Sequence, residues 1–513
     1  WRNLDRSKEP EVYEFIRFVF GGCYCPFCAQ FTWQQHAERH AEQLPLAAQA
    51  VRQNCYMDDL MPSVESLAKA IEMRQQLTTL GDKAKFHIRK WISNCQEVLE
   101  DIPEEDRASE INLEMNELPS TKTLGMTWAA TDDQFSFQYS PPDEEFVYTK
   151  RNVLRCTATV FDPLGFLAPF ILLAKLLMQQ AWVKGLSWDD ALPEELRLAW
   201  KQWFGELVKL ASIKIPRCLR ESSTVKHIEI HTFSDASEKA YSANVYARHE
   251  YEDGGVSVRL VAAKTRLAPL KTITIPRLEL MGAVIGLRLS KQVCKALEIP
   301  LQDVTFWVDS MTVRFWIRGQ SRRYKTFVAH RVGEIHEDSN PVQWRYVPTL
   351  LNPADHGTRG LTASELKDNE LWWNGPDFLR EPREKWPEEK CVKKNAEILQ
   401  EIELERKEDM VCLNTSQQNE REDEWRLKPS RFSKWYRLPR TKKLEFGLSL
   451  VRVKAWVHRF ITNCRKSRME RLAGELTAVE LRTVEEEIIQ DAQTEAYGEE
   501  ITALKGGKTS PRK

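Results

Sequence analysis

The chain has 513 residues, roughly three domains at about 150 residues each. With 42% hydrophobic and 29% charged residues it is too apolar for global disorder, and no run approaches 18 uninterrupted apolar residues, which excludes a membrane-spanning helix. Lys+Arg is 74 and Asp+Glu is 75, and this net charge of −1 argues against nucleic-acid binding unless opposite blocks cancel along the chain. The sequence opens on Trp1 without a signal-peptide pattern, so a piece of a longer intracellular chain is expected. Its 11 scattered cysteines read as reduced thiols.

Residues 1–60 mix apolar and aromatic runs with few charges. Leu67, Ile71, Leu77 and Leu80 predict a helix over 64–100, and a polar, acidic connector follows at about 101–117. Apolar residues at helical spacing fill about 150–212, interrupted at Asp162-Pro163-Leu164-Gly165. The tryptophan pairs there, Trp182/Trp188 and Trp200/Trp203, are expected in a core or domain interface. Residues 225–362 change character. Strands are predicted at 227–233, 242–248 and 256–264, with Asp253-Gly254-Gly255 as a turn. Pro276 opens a helix carrying Leu278, Leu280, Val284, Leu287 and Leu289. A strand over 304–308, helices over 311–317 and 326–337, and a strand over 343–347 complete a mixed sheet with flanking helices, an α/β fold. Residues 361–425 hold 10 basic and 18 acidic residues, so an acidic linker is expected there, with Trp372, Trp373 and Trp386 marking parts that dock. Residues 426–471 reverse this with 15 basic and 2 acidic.

Four carboxylates stand out. Asp235 follows the first predicted strand in Phe-Ser-Asp-Ala-Ser, and Asp309 ends the apolar strand Thr-Phe-Trp-Val-Asp. Glu279 sits in the first turns of the helix opened by Pro276, and Asp355 lies in Asn352-Pro-Ala-Asp-His just after the last strand. Any one of them is explained as a helix cap, since Asp is a favoured cap. An acid at the end of a buried strand is costly alone, however. Several acids converging there suit a divalent cation, with hard oxygens selecting Mg²⁺ or Mn²⁺.

As an ordered set the four resemble the ribonuclease H domain of retroelement reverse transcriptases, over about 225–362. The resemblance implies two bound Mg²⁺ ions, with Mn²⁺ as the alternative, and cleavage of the RNA strand of an RNA–DNA hybrid. Asp235, Glu279, Asp309 and Asp355 would be the metal-binding, catalytic acids. His356 stands directly after the last acid, where retroviral members carry a histidine shortly before it.

The upstream half resembles the same polyproteins. Tyr56-Met57-Asp58-Asp59 is similar to the Tyr-X-Asp-Asp signature of reverse transcriptases, which implies that Asp58 and Asp59 hold metal on a tight hairpin. Phe20-Gly-Gly-Cys-Tyr-Cys25-Pro-Phe27 resembles the Phe-Gly segment of the polymerase palm, with Cys25 where Ser is usual. Residues 122–128 resemble the segment supporting the primer end. Arg151 to Pro169, with Phe161-Asp-Pro-Leu-Gly165, resembles the palm-to-nuclease connection of the Bel/Pao group of LTR retrotransposons. Thr274-Ile-Pro-Arg-Leu-Glu-Leu280 and Ala354-Asp-His-Gly-Thr-Arg-Gly360 are similar to that group as well. The family's third polymerase Asp would lie before residue 1, so polymerase activity is expected to be lost. Cys23, Cys25, Cys28, His36 and His40 imitate a zinc finger, but seven residues separate Cys25/Cys28 from His36/His40 where a finger has about 12. The palm resemblance accounts for the same residues.

The charge sum hides opposite blocks. Residues 225–362 hold 19 basic and 14 acidic residues, and Arg322, Arg323 and Lys325 read either as a solvated surface turn or as a handle on a phosphate backbone. Residues 426–443 carry eight basic and no acidic residues. There Arg431, Lys434, Trp435, Arg437 and Arg440 mix cations with an aromatic, a pattern suited to nucleic acid. A basic amphipathic helix over 448–460 follows, and segments after 476 resemble the opening helices of an integrase. The expected division is a partial palm at 1–130, a thumb- or connection-like helical region at 131–224, a ribonuclease H-like domain at 225–362, an acidic linker at 363–425 and a basic helical region at 426–513. The expected partners are an RNA–DNA hybrid or other nucleic acid and the remaining polyprotein domains (protease, fingers, integrase), with no membrane. The competing reading is a non-catalytic, decayed remnant that binds nucleic acid through its basic segments.

Overall fold

In the computed structural model the described residues are 21–108, 120–123, 126–221, 224–387, 396–407, 450–464 and most of 471–493, with Ser7 and Glu9. They divide into two compact units, Trp1–Lys407 and Glu408–Lys513. No helix among the described residues is long and apolar enough to cross a membrane.

The first unit opens with α1 (Cys25–Arg39) and α2 (Pro45–Gln53), each with a proline in its first turn. The short strands β1 (Cys55–Tyr56) and β2 (Asp59–Leu60) pair as an antiparallel hairpin turning at Met57 and Asp58. Helix α3 (Leu67–Ala84) starts where the Ser66 side chain accepts a bond from the Lys69 N–H. It stops well short of the expected residue 100. Lys85 turns left-handed at φ 57° and the Phe86 N–H bonds back to the Gly81 carbonyl, which closes the helix. Ala47, Val51, Leu77 and Leu80 give these helices a small core of their own.

Strands β3 (Ser120–Thr123), β4 (Met126–Ala129) and β5 (Gln134–Ser136) form an antiparallel meander. Helices α4 (Lys150–Thr157), α5 (Ala168–Val183) and α6 (Glu194–Glu206) follow, and β6 (Ile215–Pro216) returns to pair with β5. The break predicted at Asp162 is a turn closed by that residue: its carboxylate accepts the N–H groups of Phe166 at 2.9 Å and Leu167 at 2.7 Å, just ahead of α5. Trp200 and Trp203 are buried, as expected of anchors, whereas Trp182 and Trp188 remain 49% and 39% exposed. This second pair stacks edge-on beneath the Lys150 ammonium, which satisfies aromatic faces without burial.

The main sheet contains β7 (Val225–Ala236), β8 (Ala240–Tyr251) and β9 (Val256–Leu267) as an antiparallel meander. Helix α7 (Ile275–Leu297) crosses over, and β10 (Val304–Val308) then enters parallel to β7. Helices α8 (Met311–Arg318) and α9 (Thr326–Asp338) lead to β11 (Trp344–Tyr346), parallel to β10. The order is β11-β10-β7-β8-β9. Short helices α10 (His356–Arg359), α11 (Ala363–Lys367) and α12 (Glu370–Asn374) follow, then α13 (Ala396–Leu404).

Both faces of this sheet are covered. On one, Ile230 and Val245 pack with Leu280, Val284, Trp316 and Val328 from α7, α8 and α9. On the other, Phe233, Tyr246 and Trp307 join a core with Phe170 and Trp200 from α5 and α6 and with Trp372, Leu379 and Trp386. One core therefore runs across the division expected at residue 224. The stretch expected as linker from 363 also divides differently: as far as Trp386 it is packed onto the sheet. Counting charge over the whole stretch averaged this docked half with the acidic residues beyond it. Trp372 is fully buried, donates its indole N–H to the Phe166 carbonyl at 3.0 Å, and offers its own carbonyl to the Tyr246 hydroxyl at 2.8 Å. Trp372→Ala is expected to cost about 3–5 kcal/mol of stability. A denaturant titration checks this, and a loss typical of surface positions would mean that 363–387 is not integral to the fold.

In the second unit α14 (Leu450–Cys464) packs Ala455 against Val484 and Ile488 of a helix over 479–490. Arg459 bonds Glu480 at 2.6 Å and the Gly474 carbonyl. The stretch with Arg431, Lys434, Trp435, Arg437 and Arg440 lies outside the described residues.

Candidate active site

The parallel pairing of β7 and β10 sets the site. Val308 stands opposite Ser234 on strands about 4.8 Å apart, so Asp309, just past the end of β10, and Asp235 of β7 leave the pairing at the same level. Glu279 comes from α7, one turn ahead of Gly282. The helix can pass this close only because Gly282 lacks a side chain: a Cβ there would stand 2.9 Å from the Asp235 carbonyl oxygen. Asp355 arrives on the segment after β11. Its approach is fixed by Asn352, which donates to the Ser234 carbonyl at 3.1 Å, and by Thr358, whose hydroxyl donates to Asp235 Oδ2 at 2.7 Å. Gly357 lets that segment press onto β8, since a Cβ would meet Ser242 Oγ at 2.1 Å.

The acids feel one another. Burial, and after it the charge of Asp309, pushes Asp235 up to about 7 despite the bond from Thr358, and Asp355 adds to the rise. Burial pushes Glu279 up to about 8, against a bond shared with Ser310, and Asp309 and Asp235 reinforce it. Burial also raises Asp309, opposed by bonds to Thr349 and Asn352. Asp355 pairs with Arg359 at 2.7 Å. His356 is half-buried, and burial lowers its pKa and favours its neutral form.

Among the described residues no three His, Cys, Asp or Glu side chains already stand at the spacing that clasps one metal ion. Each acid is held instead by its own neighbour, near enough to the others for their charges to interact. The donor set is hard oxygen throughout, and its mutual repulsion is of the kind a divalent cation relieves. These residues fit a hard divalent cation.

The other sequence-predicted positions lie elsewhere. Asp58 and Asp59 are exposed on the β1–β2 hairpin, where Met57 takes a left-handed φ of 53°. His36 Nε2 bonds the Leu80 carbonyl and His40 Nδ1 the His36 carbonyl, so both rings have local backbone partners. Arg322, Arg323 and Lys325 are exposed between α8 and α9. Sequence reading missed Thr358 and Asn352 as partners of the acids. The signal was present, since both belong to the same short motif as Asp355. It also missed Glu401 of α13, which accepts a bond from Thr312 at 2.7 Å, three residues after Asp309.

A mixed five-stranded sheet of this order, with acids at the ends of its two central parallel strands, defines a ribonuclease H-like α/β module. Residues 149–310 match the family described as Pao retrotransposon-like RNaseH-like domain. The match opens at Thr149, the cap of α4, and so takes in the helices that share a core with the sheet. It includes Asp235, Glu279 and Asp309 and ends before Asp355. No curated protein matches the chain. Among solved structures it is similar to the N-terminal RNase H domain of Rv2228c from Mycobacterium tuberculosis, solved as a fusion with maltose-binding protein, at 14% identity over 28% of this chain and 95% of that one, with a TM-score of 0.19. It is also similar to RNase H1 from the halophilic archaeon Halobacterium salinarum NRC-1, at 15% identity over 25% and 89% of the two chains, with a TM-score of 0.17.

Proposed function

We propose that this chain is a retroelement nuclease that hydrolyses the RNA strand of RNA–DNA hybrids, with Asp235, Glu279, Asp309 and Asp355 holding two divalent cations. The observation that supports the reading is the register of β10 on β7, with Val308 opposite Ser234 and each followed by an Asp; Asp235 feels the charges of Asp309 and Asp355, and Glu279 those of Asp309 and Asp235. When bound, the cations would supply an activated water and charge stabilisation for the departing oxygen. The chain's own residues prepare for this. Thr358 fixes one oxygen of Asp235, and Asn352 ties the segment bearing Asp355 to the end of β7. Burial of the acids on packed strands and helices keeps them oriented, as a site needing fixed geometry requires. Arg322, Arg323 and Lys325 offer charge to the hybrid's backbone. In the same reading the exposed pair Asp58-Asp59 is the acid pair of a reverse-transcriptase palm, and the partners are nucleic acid and the other polyprotein domains.

The test is cleavage of end-labelled RNA, annealed to DNA or free, by the full chain with Mg²⁺ or with EDTA. RNA cut only in the hybrid and only with the cation is the expected result. No cutting, or cutting indifferent to EDTA, would overturn the proposal.

A further inference from the structure

Helix α13 is acidic: Glu397, Glu401 and Glu403 lie within Ala396–Leu404 without a single Lys or Arg, and Glu405 follows before Arg406, which pairs with Glu403, and Lys407. Its contacts run from the carboxylate site to the basic turn. At one end Glu401 takes the Thr312 hydroxyl at 2.7 Å. In the middle Ile402 is buried in the core beneath α8 and α9. At the other end Glu405 grips Arg277 with both oxygens, at 2.6 and 3.1 Å, two residues before Glu279. Lys325, a cation expected to meet a phosphate backbone, instead donates its ammonium to the Leu404 carbonyl at 2.7 Å and its backbone N–H to the Glu405 carbonyl at 2.7 Å. A backbone bond from Lys407 to the Arg323 carbonyl completes the seam.

Cations beside a nuclease site are useful to a polyanion only when free to meet it. Here oxygens of this segment take two of them, the Glu405 carboxylate on Arg277 and the Leu404 carbonyl on Lys325. We propose that residues 396–407 are an acidic strap that stands in for a nucleic-acid backbone on the Arg277–Lys325 face, so that the hybrid must displace it to bind. The proposal rests on the nuclease reading for the identity of the polyanion, though its test does not need cleavage. Only the strap-open fraction binds, so the strap weakens apparent affinity by that fraction.

The experiment is anisotropy of a labelled RNA–DNA hybrid on the full chain in EDTA, over a range of salt. Ile402→Asp places a charge in the buried seat of the strap, and Glu405→Gln removes the grip on Arg277 while keeping its shape. Ile402→Asp is expected to tighten binding about tenfold and Glu405→Gln about threefold. Each freed cation should steepen the salt dependence by roughly 0.7–0.9 in the log–log slope. Adding Arg277→Gln to Ile402→Asp should return affinity most of the way to wild type. Unchanged or weaker binding by Glu405→Gln, with an unaltered melting curve, would overturn the strap, and this variant decides alone if Ile402→Asp fails to fold. Tighter binding without any cleavage in Mg²⁺ would uphold the strap and sink the nuclease. Cleavage by wild type with affinities indifferent to both variants would do the reverse.

Discussion

Asp309→Asn should lower hybrid cleavage by about a thousandfold or more while changing hybrid affinity by less than about threefold. The substitution is nearly isosteric, so β10 and its register on β7 should persist. What disappears is a negative oxygen beside Asp235, at the place where a cation would have to be shared. Affinity should hold because the cations proposed to face the backbone, Arg322, Arg323 and Lys325 between α8 and α9 and Arg277 on α7, keep their charge when Asp309 loses its own. The same change should raise the melting temperature of the metal-free chain. Asp309 pushes up both Asp235 and Glu279, so removing its charge relieves two buried acids at once. Loss of activity coupled to a gain in stability is the mark of residues kept together for function against their electrostatic preference. Cleavage undiminished by Asp309→Asn would remove this residue from the site, and a melting temperature that falls would contradict the repulsion.

The strands and helices that build the sheet could be read from periodicity because each is buried on a consistent face. Val304–Val308 forms the expected strand, and α7 opens at the proline that predicted it. The four acids could be singled out because each sits at an element's end in a short, distinctive motif. Local pattern says nothing, however, about which distant surfaces share a core. Trp372 and Trp386 mark the acidic stretch as docking somewhere, but not as joining the core that contains Phe233 and Trp307. The motif around Asp355 points to Thr358 as a residue of the site, but its partner, Asp235, lies 123 residues away and is fixed only when α10 is laid on β7. Glu401 was hidden by its company, since one acid among eighteen carries no signal until Thr312 is found beside it.

Mg²⁺ should stabilise the chain strongly at alkaline pH and weakly at acidic pH. Asp235 rises from an ordinary 3.8 to about 7 and Glu279 from 4.5 to about 8, chiefly through burial and then through neighbouring acids. Both folded-state values lie above the unfolded ones. The native chain therefore keeps protons that the unfolded chain has already released, and stability falls as pH rises through this window. The full stability from these groups is present below about pH 4 and is gone above about pH 8. For Asp235 alone the shift corresponds to roughly 4 kcal/mol, at about 1.4 kcal/mol per pH unit. A divalent cation can bind only as those protons leave, so its affinity climbs over the same interval and its charge offsets the repulsion that opposes folding. Thermal melts from about pH 5.5 to about pH 8.5, with EDTA or with saturating Mg²⁺, should show two curves that meet at the acid end and diverge toward the alkaline end. Glu279→Gln serves as the reference, because it removes the highest of the raised groups: its metal-free curve should decline less with pH and its Mg²⁺ curve should diverge less. Parallel curves across the whole range, or a divergence untouched by Glu279→Gln, would mean that the cation binds away from these four acids.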